Sequence, residues 1–165
     1  MVFKSDEQLE LYVTMKLSQA LDNTLEVALT ELKKIIEEKV YGWQSPSVQP
    51  WGGFGGELTS GNRTGQFYDS WQKVKSTMVG NIIQGEINQA IEVMQVFMIG
   101  DPQKPTHIDR EELADIINTG DGYDFGKADG VARPYWDIFT MWLAQNLHNV
   151  FFMECLKLGI PIQKV

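Results

Sequence analysis

The sequence predicts an α+β fold with a long helix at each end, and three observations carry that reading. Apolar residues recur at about one-turn spacing from Leu9 to Val40, with no Pro or Gly before Gly42. Two runs of strand-like composition flank Gly80-Asn81. A second apolar run of helical spacing starts at Pro134 and stops before Gly159 and Pro161. At 165 residues and 18.7 kDa, the chain suits a single domain over 1–165, large enough to bury its own core.

The first helix is expected over 6–41, capped by Ser5 or Asp6, with Leu9, Val13, Leu17, Leu21, Leu25, Ala28, Leu32, Ile36 and Val40 on the inward face. Asp22-Asn23-Thr24 is its weak point, because short polar side chains compete for backbone hydrogen bonds, and a kink or break would fall there if anywhere. From 42 to 66, many glycines are mixed with Pro46, Pro50, Trp43, Trp51 and Phe54, a composition that sustains no regular element. Such a stretch exposes costly aromatic area unless something covers it. It is either an arm packed on a neighbouring subunit or a loop folded over the chain's own core.

Residues 67–99 read mainly as strands. A turn follows Thr64-Gly65, and Trp71 to Val79 has the Lys and β-branched content of a half-exposed strand. Gly80-Asn81 is a hairpin turn in the reverse of the favoured Asn-Gly order, and Ile82 to Asn88 returns, with Gly85 a candidate bulge. Glu92 to Ile99 tips toward strand. A short helix over 109–119 starts with Asp109 and Glu112 in a capping-box pattern and stops at Gly120. After a Gly and Asp loop, Pro134 opens the last helix, expected to run to about Leu158. That helix carries apolar residues on two sides: Trp136, Phe139, Leu143 and Leu147 on one, Ile138, Met141, Trp142 and Phe152 on the other. A helix apolar on two sides needs two coverings, the second of which is expected from another subunit.

Charge and composition exclude several function classes. A net charge of −8 and a pI near 4.7 lack the basic footprint of a protein that holds DNA through its phosphates. An acidic wall past which DNA slides remains compatible. Cys155 stands alone in an apolar run, which predicts a buried free thiol and fits a reducing compartment. The N-terminal residues turn acidic at once, without the apolar core of a signal peptide, so synthesis in the cytoplasm is expected. Polar residues from Asp137 to Glu154 interrupt the longest apolar run, so no membrane span is expected.

No catalytic, cofactor or metal pattern is found. His107 and His148 have no zinc spacing, and the loop from Asp121 to Asp129 lacks calcium-loop alternation and puts Ala132 where a bidentate Glu belongs. Gly52 to Gly56 lacks the Gly-Lys-Ser/Thr of a phosphate loop. Neither His lies in a nucleophile-activating sequence, and Glu37-Glu38 and Glu111-Glu112 are neighbours pointing apart on helices. The chain is read as a non-enzyme.

Three phrases remain: Arg63-Thr64-Gly65 leading to Asp69-Ser70-Trp71, Glu112 to Gly120, and Ala132-Arg133-Pro134-Tyr135-Trp136. In this order and spacing the chain resembles the tail-completion (neck) proteins that join head and tail in long-tailed bacteriophages, over about 6–158. It departs from that pattern at Ile116-Ile117-Asn118-Thr119-Gly120, where Tyr, Val and Glu are more usual, and in a longer stretch over 91–112. The resemblance implies a homo-oligomeric ring in the virion neck, between the connector and the tail terminator or tail-tube proteins, with DNA passing as cargo without specific binding and no membrane partner. The interface residues expected on this reading are Trp43, Trp51, Phe54, Arg133, Tyr135, Trp142 and Phe152. The planar fork of Arg133 can satisfy carbonyls or a carboxylate at a subunit edge. A tail-terminator or head-closure ring, and a cytoplasmic adaptor using Trp43, Trp51 and Phe54, are the alternatives.

Overall fold

The computed structural model describes residues 3–41, 66–93, 98–99, 106–107, 112–120 and 132–162. In chain order these form α1 (Asp6–Ile36), a π-helical turn (Glu37–Tyr41), α2 (Gln66–Ser70), β1 (Trp71–Val79), β2 (Ile82–Gln89), a 3-10 turn (Ile91–Val93), β3 (Met98–Ile99), β4 (Thr106–His107), α3 (Leu113–Thr119) and α4 (Tyr135–Lys157). The fold is α+β. β1 and β2 make a two-stranded antiparallel sheet. β3 and β4 pair antiparallel, with Met98 opposite His107 and Ile99 opposite Thr106. Two compact units divide the chain: Met1–Glu31, Gln72–Asn88 and Thr140–Val165 form the first, Leu32–Trp71 and Gln89–Phe139 the second.

In the first unit α1 runs through Asp22-Asn23-Thr24 without a break, as one long helix requires, because each polar side chain has a partner. Asp22 Oδ1 accepts the Ser76 amide at 2.7 Å, Asn23 Nδ2 donates to Glu154 Oε2 at 3.1 Å, and the Thr24 hydroxyl donates to the Ala20 carbonyl at 2.7 Å. Side chains that compete with the helix in isolation are here committed to the hairpin, to α4 and to the preceding turn. Lys73 Nζ adds a bond to the Asp22 carbonyl at 3.3 Å and an ion pair with Glu26 at 2.7 Å. Ala20, Leu25, Ala28, Leu29 and Cys155 are buried. Cys155 is the free, buried thiol that its apolar setting predicts, and burial followed by the Glu154 charge pushes it up from the ordinary thiol range.

The hairpin turn explains its own sequence. Gly80 has φ +60°, and among the described residues no non-glycine residue, Asn81 included, has positive φ. That is the pattern of a type II′ turn, which wants Gly at the first central position, so the order Gly-Asn is the right one for it. Gly85 is not the bulge. At the far end the Ala90 amide donates to the Ser70 carbonyl at 2.7 Å, which leaves the extra residue in β1. Gly85 is glycine because a Cβ there would fall inside Leu25 Cδ1 and lie 3.3 Å from Leu21.

α4 ends in a Schellman cap: the Ile160 amide donates to the Cys155 carbonyl, the Gly159 amide to the Leu156 carbonyl, and Gly159 has φ +75°. Pro161 follows, as expected.

In the second unit Leu32, Ile35, Ile36, Val40, Phe67, Trp71, Ile117, Tyr135 and Phe139 are buried. The first helix covers the expected 6–41, its α-helical part stopping at Ile36 and the rest to Tyr41 taking the wider π form. The turn expected before Trp71 is one helical turn over Gln66–Ser70, which the Ser70 hydroxyl closes by bonding back to the Phe67 carbonyl at 2.8 Å. Two boundaries differ from expectation. Of the strand expected over 92–99, Glu92 and Val93 lie in the 3-10 turn, Met98 and Ile99 are strand, and 94–97 lie outside the described residues. α3 starts at Leu113, and Glu112, just before it, has helical dihedrals and gives the first turn no side-chain cap bond. The expected capping box pairs Glu112 with Asp109, which lies outside the described residues.

Candidate assembly junction

The described parts of the three phrases meet in the second unit, while Arg63-Thr64-Gly65 lies outside the described residues. Their meeting place is built from the C-terminal ends of α2 and α3 and the N-terminal end of α4.

Ser70 is fully buried and organises the first phrase. Its hydroxyl donates to the Phe67 carbonyl and accepts from Gln89 Nε2 at 3.2 Å, while its carbonyl takes the Ala90 amide. Its hydroxyl, as donor and as acceptor, and its carbonyl are thereby all used. The neighbouring Trp71 ring stacks on Trp136 at 5.3 Å between centroids and 20° between planes, and meets Phe67 and Tyr135 edge-on. Phe67 and Tyr135 are also edge-on at 5.3 Å, and Trp136 leans on Phe139 at 5.6 Å. Such pairs add about 0.5–1.5 kcal/mol each beyond the area they bury. The polar cost is the Trp71 indole Nε1, which is buried without a hydrogen-bond partner.

The second and third phrases cap each other. Gly120 has φ +80° and its amide donates to the Ile116 carbonyl at 2.8 Å, the single-bond αL ending of a helix. The next free carbonyl of α3, that of Ile117, accepts the Arg133 amide at 3.0 Å. In the other direction, Asn118 Oδ1 accepts the Trp136 amide at 3.0 Å. Pro134 stands just before α4 and its carbonyl accepts the Ile138 amide, so it occupies the cap position. Proline has no side-chain acceptor to offer the first turn, and Asn118 supplies one from α3.

Tyr135 completes the junction. Its ring is 1% exposed and its hydroxyl donates to the Ala114 carbonyl at 3.3 Å. Burial, and then the Asp115 charge, push that hydroxyl well above the usual tyrosine range.

The nominated interface residues fall into three groups. Trp43, Trp51 and Phe54, with the arm to which they belong, lie outside the described residues. Tyr135 is consumed by the chain's own core. Arg133, Trp142 and Phe152 are half-buried, and the Arg133 carbonyl accepts the Tyr135 amide at 2.6 Å. Met141, Met153 and Leu156 of α4 are exposed, Met141 at 62%. Asn118 and Trp136 were not nominated. Asn118 carries no cap signal in sequence because the helix that it caps starts 17 residues later.

Among the described residues no three His, Cys, Asp or Glu side chains are grouped to hold a metal ion, and no helix is long and apolar enough to cross a membrane. No protein-family model, curated protein or solved structure matches the chain.

Proposed function

We propose that this chain is a structural subunit of a tailed-phage virion, forming a homo-oligomeric ring in the neck that completes the tail and joins it to the head. One observation supports the reading above the others. The described parts of the phrases that carry the resemblance, Asp69-Ser70-Trp71 of the first, the end of the second at Ile117–Gly120 and the third from Arg133 to Trp136, belong to one physical junction. Phrases tied together by capping and aromatic packing are kept in order by the fold, and here they serve packing, with no chemistry attached. Exposed Met141, Met153 and Leu156 on α4 give such a subunit apolar area for neighbours. The acidic balance of the chain suits a lumen through which DNA passes without sticking.

An electron-microscopy map of the intact particle tests the proposal. The expected result is a ring of this chain between connector and tail. Particles that lack the chain and still carry joined heads and tails would sink it.

A further inference from the structure

Two helical stretches of the first unit bury none of their residues. They are 6–19 of α1 and 140–153 of α4, equal in length at about 21 Å for a rise of 1.5 Å per residue. Their chemistry differs. Residues 140–153 hold no Asp, Glu, Lys or Arg. Met141, Gln145, His148, Phe152 and Leu156 follow one another three or four residues apart and so line one side of α4, Phe152 half-buried and the other four exposed. Depletion of charge together with Met and aromatic residues marks the centre of a protein interface. Residues 6–19 instead carry Asp6, Glu7 and Glu10 beside Leu11 and Met15, which stand one turn apart and are each 63% exposed.

We infer that residues 6–19 of one copy lie antiparallel in the uncharged α4 seam of the next copy around the ring, with Leu11 beside Phe152, Met15 beside His148 and Glu7 beside Lys157. The inference rests on the ring reading above, in which identical neighbours all face the same way and each subunit therefore meets them through two different surfaces. The two stretches are such a pair: both expose apolar side chains over the same length, and they belong to different helices of one compact unit.

Charge complementarity selects the partner and its direction. The seam offers the acids of α1 nothing to repel them, and the first cation beyond it is the exposed Lys157, in the last turn of α4. Glu154 beside it is buried and already bonded to Lys157 and Asn23. Antiparallel docking carries Asp6, Glu7 and Glu10 to that end, and it sets the N-terminus of α1 against the C-terminus of α4, where the helix dipoles attract. The parallel direction would carry the same acids toward Asp137, in the first turn of α4.

Cysteine cross-linking in intact particles tests this, with Met15→Cys and His148→Cys placed together in one chain, and Leu11→Cys with Phe152→Cys as a second pair. Under mild oxidation each pair should give a ladder of disulfide-linked dimers, trimers and higher multimers, because every subunit is joined to two neighbours. The four single variants should give none, Cys155 being buried. A ladder from neither pair overturns the inference, and residues 42–65 of the same chain or another neck protein lying in the seam would produce that result. A product that stops at dimers, a link within one chain, or dimers from a single variant overturns it as well. Glutaraldehyde applied to unaltered particles separates this contact from the ring: a glutaraldehyde ladder without a disulfide ladder removes the contact alone, whereas no ladder from either removes both.

Discussion

Single residues carry weight here where two elements approach too closely for a side chain or where a polar group is taken out of water. Gly85 is the first kind. An added methyl meets Leu25 and Leu21 on α1, and overpacking of this sort costs about 1–3 kcal/mol. Gly85→Ala should therefore lower the denaturation midpoint in urea, and pairing it with Leu25→Ala should cost less than the two changes summed, since the second makes room for the first. Tyr135 is the second kind. Its hydroxyl titrates above the usual range when folded, so the unfolded chain ionises first, and stability present at neutral pH drains away as pH rises beyond about 10. A stability–pH curve of Tyr135→Phe should lose that alkaline decline. An unchanged curve would mean that the hydroxyl is free to ionise in place. Glu154 behaves with the opposite sign: the Lys157 hydrogen bond holds its carboxyl below the usual range, against the opposing effect of burial and with help from Asn23, so its contribution is present at neutral pH and lost as pH falls through the carboxylate range.

Among the elements, α3 and α4 are stabilised through each other's ends. A seven-residue helix is marginal alone, and α3 has no side-chain cap of its own at Glu112. Its last carbonyls are instead taken by Gly120 and Arg133, and it returns a cap to α4 through Asn118. Asn118→Ala should cost about 1 kcal/mol in chemical denaturation, the usual worth of an N-cap. Hydrogen exchange at Trp136 should rise with it. If exchange rises only elsewhere in α4, the cap is not what holds that turn. The same exchange of partners explains α1: a triplet that weakens an isolated helix becomes the place where the hairpin and α4 attach.

For the whole molecule the prediction concerns joining, not folding. Arg133 contributes its amide and carbonyl to the junction, and Ala would supply the same two groups. On the neck reading, Arg133→Ala should give a soluble subunit that leaves heads and tails unjoined in an infection assay, with circular dichroism checking that it stays folded. Normal virion yield from that variant would remove the Arg133 side chain from assembly.

What was legible in the sequence was what depends on neighbours along the chain. Apolar spacing determined α1 and α4, Gly and Pro marked the ends of α3 and α4, and the paired strands stood out around Gly80-Asn81, since these signals lie within a turn or two of the element they define. The α+β class followed from them. The sequence could not show that Asn118 caps a helix beginning 17 residues later, that Gly85 serves α1 and not a bulge, or that Tyr135 is spent on the core and closed to a partner. Each of these rests on contacts between segments far apart in the chain, and only the tertiary structure decided which polar group found a partner. The physical reason is common to all: local propensities are worth tenths of a kcal/mol per residue, whereas a buried contact or a satisfied cap is worth about one or more, so tertiary contacts decide wherever the two compete.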